Sequence, residues 1–292
     1  MDLPDADCSP PLPTVMPSEP IYADLHTHTH CSDGHLAPGE LVARAAEQGL
    51  RVLAVTDHDT VEGLPAARDA AATHGLRLVP GVELSVEVAD RAVHLLGYGF
   101  DPEHPALTDY LAAFTARRRE RLQRMVGRLA DQGVDLSMEV VHRHVGTSAA
   151  PGRPHLARAL AAEGHVDGYR EAFEQYLSRD QPGYVPAPTR PGAEAIEALH
   201  AAGGVAAVAH PGQWMPSTVL RTLRAQGLDG VECYASSHPD YLVDYYRKIC
   251  QGHDLLMTGG SDYHGGPEAK DAEPGTVGLT RDHWERFRDA AL

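Results

Sequence analysis

Two short motifs near opposite ends of the chain place pairs of potential metal ligands one residue apart. His26 and His28 lie in DLHTH, and on an extended backbone both side chains would point to the same face. Asp262 and His264 repeat this spacing in SDYH. Imidazole together with carboxylate suits Mn, Fe or Zn, whereas sites made only of oxygen suit Mg or Ca. A single His-X-His pair is more often a surface or turn feature, so these motifs need support from elsewhere in the chain.

Four other predicted strands supply that support, because each carries a histidine or a carboxylate near its end. Asp57 and His58 end RVLAVTDH, Glu83 follows LRLVPGV, His94 lies in AVHLLGY and His210 ends GVAAVAH. In barrels the carboxyl ends of the strands meet at one mouth, where catalytic groups gather. Burying several carboxylates and imidazoles without a metal would be costly. We therefore predict one polynuclear metal site, because chance placement explains the pattern less well.

Each of these residues taken singly has a simpler explanation. His94 alone would be a hydrogen-bonded histidine of the core, and Asp57 could cap the helix that follows it. His30, His35 and Asp59 lie beside the motifs, but we do not expect them to be metal ligands. Only the recurrence at separate strand ends favours the metal interpretation.

Short apolar runs alternate with Ala-rich amphipathic stretches over most of the chain. Residues 21–101 hold four predicted strands, and the same alternation resumes over 183–292, which predicts an α/β fold with a parallel sheet or barrel. Between them, residues 102–182 have helical periodicity and no convincing strand, which predicts an all-helical insertion. Residues 1–20 are acidic and Pro-rich, without the features of a signal peptide, and predict a disordered leader.

The composition limits the classes of partner. With 25 basic and 41 acidic residues, the formal charge of −16 disfavours binding of long nucleic acid, although a small anion on a metal cluster remains compatible. Four widely spaced cysteines without a Cys-X-X-Cys motif indicate reduced thiols in a cytoplasmic protein. Apolar runs stay short of the ~20 residues that span a bilayer, so we expect no membrane association.

Six segments in a fixed order resemble the PHP (polymerase and histidinol phosphatase) family of phosphoesterases. They are DLHTHTHCSDG, TDHDT, GVELS, VHLLGY, AHPG and GGSDYH. The resemblance implies a distorted (β/α)₇ barrel that holds two to three divalent metal ions, with Mn as the expected metal and Fe or Zn as alternatives. It thus implies a metal-dependent phosphoric ester hydrolase.

The resemblance also implies a role for each side chain of this sequence that matches a motif position. The first metal would be held by His26, His28, Glu83 and Asp262, the second by Glu83, His94 and His210, and the third by Asp33, His58 and His264. A metal-bound hydroxide held by Glu83, His94 and His210 would attack phosphorus. Asp57 would orient a ligand histidine from behind.

The helical insertion resembles the branch that contains 3′,5′-nucleoside bisphosphate phosphatases and a 5′-to-3′ exoribonuclease. Its segments are RRRERLQRM and GRPHLARAL, and the branch implies that Arg118, Arg121, Arg153 and His155 bind a substrate phosphate. Arg118 and Arg121 are three residues apart and would lie on one helix face. The alternative is a solvated face of the helix, which we expect for the arginines at 117, 119 and 124.

The expected function is hydrolysis of the 3′-phosphate of nucleoside 3′,5′-bisphosphates, stepwise cleavage of short 5′-phosphorylated RNA, or both. One alternative is a phosphatase of the histidinol-phosphate type, although such a small monophosphate needs no second anion site. The other is a non-catalytic metal-binding module, which the complete ligand set and the lack of a second large domain disfavour.

Overall fold

The computed structural model describes residues 19–213, 215–266 and 273–292. The predicted leader therefore lies outside the described residues except for its last two positions. Within the described part, eight strands form one sheet. They are β1 (Ala23–Asp24), β2 (Val52–Val55), β3 (Arg77–Val88), β4 (Arg91–Tyr98), β5 (Arg190–Pro191), β6 (Val205–Val208), β7 (Gly230–Ala235) and β8 (Leu256–Gly260).

The sheet follows the order β1-β2-β3-β4-β6-β7-β8, and β5 pairs with β3 beside this path. Its two ends approach each other: the Leu25 amide donates to the Gly259 carbonyl at 3.1 Å, and Thr27 forms a parallel bridge with Tyr263. The result is a nearly closed barrel with seven strands along its path. The predicted α/β barrel is confirmed.

One strand runs against the others, which the predicted parallel sheet did not include. β4 pairs antiparallel with both β3 and β6, whereas the remaining pairs along the path are parallel. Only Ala89 and Asp90 connect β3 to β4, with φ of 50° and 58°. A two-residue connection makes a hairpin, because a parallel connection needs a dozen or more residues.

Helices cover the outside of the barrel and form the segment between β4 and β5. In the described residues they are α1 (Pro38–Glu47), α2 (Leu64–His74), α3 (Pro105–Ala130), α4 (Met138–Val145), α5 (Arg153–Ala162), α6 (Tyr169–Ala172), α7 (Gly192–Ala201), α8 (Ser217–Ala225), α9 (Asp240–His253) and α10 (Arg281–Ala291). A π-helical turn, Phe173–Leu177, continues α6. The structure places α3 to α6 between 102 and 182, where helical periodicity predicted helices and no strand. The boundaries of the insertion as a domain stay a prediction.

The long helix α3 belongs to two hydrophobic clusters. Leu107 and Phe114, in its first half, pack with the barrel strands and their helices. Leu122 and Leu129, in its second half, pack with α4, α5 and the π-helical turn in a separate cluster. The buried face of α3 is continuous through both halves because its buried residues recur every three to four positions, with Arg118 and Arg121 between the two apolar parts. Side chains at the middle of that face therefore lie between the two hydrophobic clusters.

A search of the described helices finds none with the length and apolarity to cross a bilayer. The longest of them, α3, spans 26 residues but carries six arginines along its length. Such a segment cannot be buried in hydrocarbon without large cost.

Candidate metal centre

The carboxylate of Glu83 lies at the centre of a group of histidines at the barrel mouth. Its Oε2 is 3.3 Å from Nε2 of His26 and 3.2 Å from Nε2 of His28. The same oxygen is 3.1 Å from Nδ1 of His58, while Oε1 is 2.8 Å from Nδ1 of His94. Side chains from β4 and from the segments that follow β1 and β2 thus meet at one carboxylate of β3, which can bridge between cations.

Asp262 completes the first predicted set of ligands. Its Oδ1 is 3.3 Å from Nε2 of His26 and 3.2 Å from Nε2 of His28. The potential ligand atoms of these three residues and Glu83 all lie within 4.8 Å of one another. His210 approaches from the other side, with Nε2 3.0 Å from Glu83 Oε1.

A second group of potential ligands surrounds Asp33, as predicted for the third metal. Asp33 Oδ1 is 3.4 Å from His264 Nε2, and Oδ2 is 3.8 Å from His58 Nε2. The structure adds His28 to this group, because its Nδ1 lies 4.0 Å from Asp33 Oδ1. His28 and His58 each direct one ring nitrogen toward Asp33 and the other toward Glu83.

The donor atoms at the barrel mouth fit a metal cluster. Buried side-chain atoms that lack a hydrogen-bond partner among the described residues include His26 Nε2, both ring nitrogens of His28, His58 Nδ1, Glu83 Oε2 and His94 Nδ1. Leaving a buried polar atom unpaired costs about 1–3 kcal/mol, and here six such atoms converge on one space. Divalent cations would satisfy all of them together, since imidazole and carboxylate are their preferred protein ligands.

Burial and the neighbouring charges shift the pKa values of the residues at this site in different directions. Burial alone would raise the pKa of Glu83, yet the surrounding imidazoles hold it well below its usual range. Burial would lower the pKa of His28, but the adjacent carboxylates of Asp262 and Glu83 raise it to about 10. For His58 burial prevails and lowers the pKa to about 4, which keeps its ring neutral and its lone pair available. A protonated His28 has a positive charge at the place where a bound cation would also have one.

Glu232, which the sequence analysis missed, holds two of these histidines in place. Its Oε1 lies 3.0 Å from Nδ1 of His26, and Oε2 accepts the backbone N–H of His210 at 2.6 Å. The residue is fully buried in the middle of β7. With Nδ1–H donated to Glu232, the Nε2 atom of His26 is fixed toward the centre. An acidic residue inside the apolar run GVECYA was the available signal.

The carboxylate of Asp57, predicted to orient a ligand histidine, is fully paired within one loop. Its carboxylate accepts hydrogen bonds from the backbone N–H and the hydroxyl of Thr29, at 2.8 and 2.6 Å, and from the Ser32 hydroxyl at 2.6 Å. Among the described residues its hydrogen bonds therefore go to the loop that carries Asp33, and not to a ligand histidine. Asp57 positions the second group of ligands by fixing this loop.

At the barrel mouth, two of the potential metal ligands have a left-handed backbone conformation. His210 and Asp262 have φ of 24° and 57°, in the region that side chains other than glycine rarely adopt. Gly260 brings β8 against the first ligand strand, since a Cβ there would lie 2.8 Å from Asp24 Oδ1 and even closer to His26. The backbone is therefore strained at positions where the potential ligands converge.

Arg118 is buried between the two hydrophobic clusters of α3 and is already paired. Its Nε donates to Asp59 Oδ2 at 3.0 Å, its Nη2 also contacts that carboxylate, and Nη2 donates to the Ser85 hydroxyl at 3.2 Å. Asp59 also accepts the Ser85 backbone N–H at 2.7 Å. Among the described residues Asp59 does not belong to a group of potential metal ligands. Its carboxylate instead connects α3 to the barrel.

Arg121 is buried one turn further along, and no carboxylate pairs with it among the described residues. Its Nε donates to the Val185 carbonyl at 2.8 Å. Burial, together with the positive charges of Arg153 and Arg118, lowers the pKa of its guanidinium to about 10. Arg153 lies over the rings of Phe173 and Tyr184, 5.7 and 5.6 Å from their centroids. This cluster of cations favours binding of an anion.

The fourth predicted phosphate ligand, His155, lies at the start of α5 in the same region. Its Nδ1 accepts the Gly152 backbone N–H at 3.1 Å, and burial lowers the pKa of its ring to about 4. The imidazole is therefore neutral near pH 7, and it is also hydrogen-bonded to the backbone of Ser32.

The helical insertion is also hydrogen-bonded to the loop that carries Asp33. The Ser148 hydroxyl donates to the Ser32 carbonyl at 2.6 Å. Arg158, which the sequence analysis did not single out, donates from Nη2 to the carbonyl of Asp33 at 2.8 Å. The helices that carry the cationic cluster are thus joined directly to a ligand of the metal centre.

Comparison with known proteins agrees with this geometry. The chain is 35% identical to the 3′,5′-nucleoside bisphosphate phosphatase of Chromobacterium violaceum, over 82% of this chain and 86% of that one. It is also 35% identical to the 5′-3′ exoribonuclease Rnm of Salmonella typhimurium, over 84% of this chain and 85% of that one. A solved structure from Bifidobacterium adolescentis, assigned as a metal-dependent phosphoesterase, superposes with a TM-score of 0.86 at 33% identity, covering 94% of this chain and 98% of that chain.

A model of the PHP domain matches residues 24–179, a span that begins at the first strand and includes the helical insertion. The predicted resemblance is confirmed by this match and by relatives that align over most of the chain. The convergence of imidazoles and carboxylates at the barrel mouth has the chemistry of a metal-dependent phosphoric ester hydrolase. The chain belongs to the PHP domain family.

Proposed function

We propose that this enzyme removes the 3′-phosphate of nucleoside 3′,5′-bisphosphates and shortens 5′-phosphorylated RNA from its 5′ end. Two relatives are named for these activities. The observation that carries the proposal is the buried guanidinium of Arg121, which lacks a carboxylate partner among the described residues. A substrate with a second phosphate, away from the scissile one, would neutralise it.

The metal ligands would be the nine side chains predicted from the sequence, with Glu83 at their centre. Two to three divalent cations, with Mn²⁺ as the proposed identity and Fe or Zn as alternatives, would lower the pKa of water and neutralise phosphate oxygens. Glu83, His94 and His210 hold their donor atoms toward the place where phosphorus is attacked. Glu232 keeps His26 in one tautomer and one orientation.

The helical insertion would bind the 5′-phosphate. Arg121 and Arg153 have guanidinium nitrogens that no acidic side chain occupies among the described residues, and a phosphate between them would offset their mutual repulsion. Arg118 is committed to Asp59 and would contribute mainly by its charge and by positioning α3. His155 would add a neutral donor by exchanging its hydrogen bond with the Ser32 backbone for one to the phosphate. Holding the 5′-phosphate here would set the 3′-phosphate over the metal centre.

The proposal includes a cytoplasmic location, as predicted from the cysteine pattern. Cys31, Cys233 and Cys250 carry free thiols in the described part of the chain. Cys233 and Cys250 lie with their sulfur atoms 3.6 Å apart in the interior, and both are shielded from solvent. Reduced, buried thiols of this kind are typical of cytoplasmic proteins.

The proposal is tested by parallel rates on four substrates with added Mn²⁺. They are adenosine 3′,5′-bisphosphate, a 5′-phosphorylated oligoribonucleotide, histidinol phosphate and a generic aryl phosphate. We expect the first two to be preferred, because only they carry a second phosphate for the cationic cluster. A preference for histidinol phosphate would contradict the proposal.

A substitution then tests the role of the cluster. Arg121→Ala should raise KM for the bisphosphate about tenfold or more, since hydrogen bonds to charged groups contribute about 1.5–3 kcal/mol. The aryl phosphate, which has no second phosphate, should be affected little. Arg119→Ala is the matched control, because Arg119 is exposed on the same helix. An equal loss on both substrates would show that Arg121 does not bind phosphate.

A further inference from the structure

A cavity of about 740 Å³ opens directly beside the metal centre, on the side of His94 and His210. One wall is the turn between β3 and β4 with Arg91 at the start of β4, and another is Arg179 at the end of the helical insertion. Met215 belongs to the wall that follows β6. A volume of this size is within the range of about 300–1,000 Å³ found for small-molecule sites. Two metal ligands therefore line a space large enough for a nucleotide.

The walls of this cavity combine free cations with apolar surface. Arg91 and Arg179 are exposed, and neither side chain forms an ion pair or a hydrogen bond with another described residue. Asp90 is the acidic residue of the described lining. Val93 and Met215 supply apolar surface nearby. Guanidinium groups pair with phosphate and apolar side chains pack on bases, so the lining suits a nucleotide in a single strand.

This cavity is distinct from the cationic cluster proposed for the 5′-phosphate. Arg121 and Arg153 lie in the helical insertion and are absent from the lining of the cavity. Arg179 and Arg91 are absent from the surroundings that lower the pKa of Arg121. The metal centre is thus approached by two separate groups of arginines.

The chemistry of the two proposed substrates indicates what Arg91 and Arg179 could bind. With the bisphosphate, water adds to phosphorus, the P–O3′ bond breaks and O3′ takes up a proton, so free phosphate and a nucleoside 5′-phosphate result. With RNA the same bond breaks, but the attacked phosphate is also esterified to O5′ of the next nucleotide. RNA therefore needs space beyond the scissile phosphate, and the bisphosphate does not.

We propose that the cavity binds the nucleotide that follows the scissile phosphate, and that Arg91 and Arg179 bind the next phosphate along the RNA. This inference rests on the proposed function and adds to it the path of the polymer. The shortened RNA retains the attacked phosphate as its new 5′-phosphate and can enter the cationic cluster for another round. A 5′-phosphorylated trinucleotide is the shortest substrate whose third phosphate reaches the two arginines.

The test compares substrates of increasing length on one variant. For Arg91→Ala/Arg179→Ala, the ratio of kcat/KM on a 5′-phosphorylated trinucleotide to kcat/KM on adenosine 3′,5′-bisphosphate should fall about tenfold. The same ratio for a 5′-phosphorylated dinucleotide should fall much less, because the dinucleotide lacks the third phosphate. Arg68→Ala is the control, since Arg68 is exposed on α2 and is absent from the cavity lining. A ratio equal to that of the control would overturn the inference.

A binding measurement separates failure of this inference from failure of the proposed function. With a chelator present to stop hydrolysis, fluorescence anisotropy of a 3′-labelled, 5′-phosphorylated trinucleotide gives Kd directly. We expect about tenfold weaker binding by the double variant and a smaller dependence of Kd on salt concentration. Wild-type enzyme that hydrolyses neither nucleotide substrate refutes the proposed function. Binding that is equal for variant and wild type refutes the role of the two arginines.

Discussion

Replacing Glu232 by glutamine should weaken metal binding although the residue is not itself among the metal ligands. The carboxylate accepts from two donors: Nδ1–H of His26 at 3.0 Å and the backbone N–H of His210 at 2.6 Å. Glutamine has the same shape but only one accepting oxygen. Its NH₂ group must therefore face one of the two donors.

The size of the effect follows from that mismatch. Glu232 is fully buried, so water cannot satisfy the donor that loses its acceptor, at a cost of about 1–3 kcal/mol. If His26 changes tautomer to avoid the clash, its Nε2 carries the proton and no longer presents a lone pair to the metal. Both outcomes weaken the first group of ligands. Loss of such an orienting partner lowers metal affinity about 10- to 100-fold, and we expect a change in that range.

Isothermal titration of the chelator-treated protein with Mn²⁺ measures this affinity, and competition with a chromogenic chelator extends it to tight sites. Glu87→Gln is the matched control, because Glu87 carries the same substitution on an exposed position of β3. Circular dichroism at the titration temperature verifies that the variant is folded. Equal Mn²⁺ affinities for Glu232→Gln and wild type would refute the role assigned to this carboxylate.

Two further predictions concern stability. Asp59→Ala should lower the free energy of unfolding by about 3–5 kcal/mol, because Arg118, only 7% exposed, is left as an unpaired buried charge. In urea denaturation, the double variant with Arg118→Ala should lose less stability than the sum of the two single variants. Additive losses would contradict the pairing. In protein treated with chelator, the stability contributed by His28 should be complete below its ordinary pKa of 6.5 and be lost as the pH rises through its raised pKa of about 10. Tm with chelator should therefore fall more steeply between these pH values than Tm with Mn²⁺. Parallel curves would contradict this role of His28.

Much of the metal centre could be predicted because its ligands obey simple rules of position. His26 and His28 alternate on an extended segment, and Glu83 and His210 lie where strands reach the barrel mouth. The strands were recognisable as apolar runs, and the mouth of a barrel brings their ends together. Periodicity and spacing are local properties, so the sequence displays them directly.

What the sequence did not show depends on contacts between distant segments. Glu232 appears only as one acidic residue in an apolar strand, and its partners are 206 and 22 positions away. Asp57 and Asp59 are adjacent to motif residues, yet one fixes a loop and the other pairs with an arginine of α3. Charge and spacing identify such carboxylates as unusual but do not select their partners. The reversal of β4 was missed for the same reason, since strand direction depends on pairing.

The hydrogen bonds from Ser148 and Arg158 to the loop of Asp33 make the helical insertion and the metal centre thermodynamically linked. If the arginines of the insertion bind substrate and Asp33 binds a cation, as proposed, a shift of these helices would also move Asp33 relative to the cation. Linkage is reciprocal, so cation binding must change the affinity for substrate phosphate by the same factor as phosphate changes the affinity for the cation. Occupancy of the cluster in the cell would then follow the supply of substrate as well as the supply of metal.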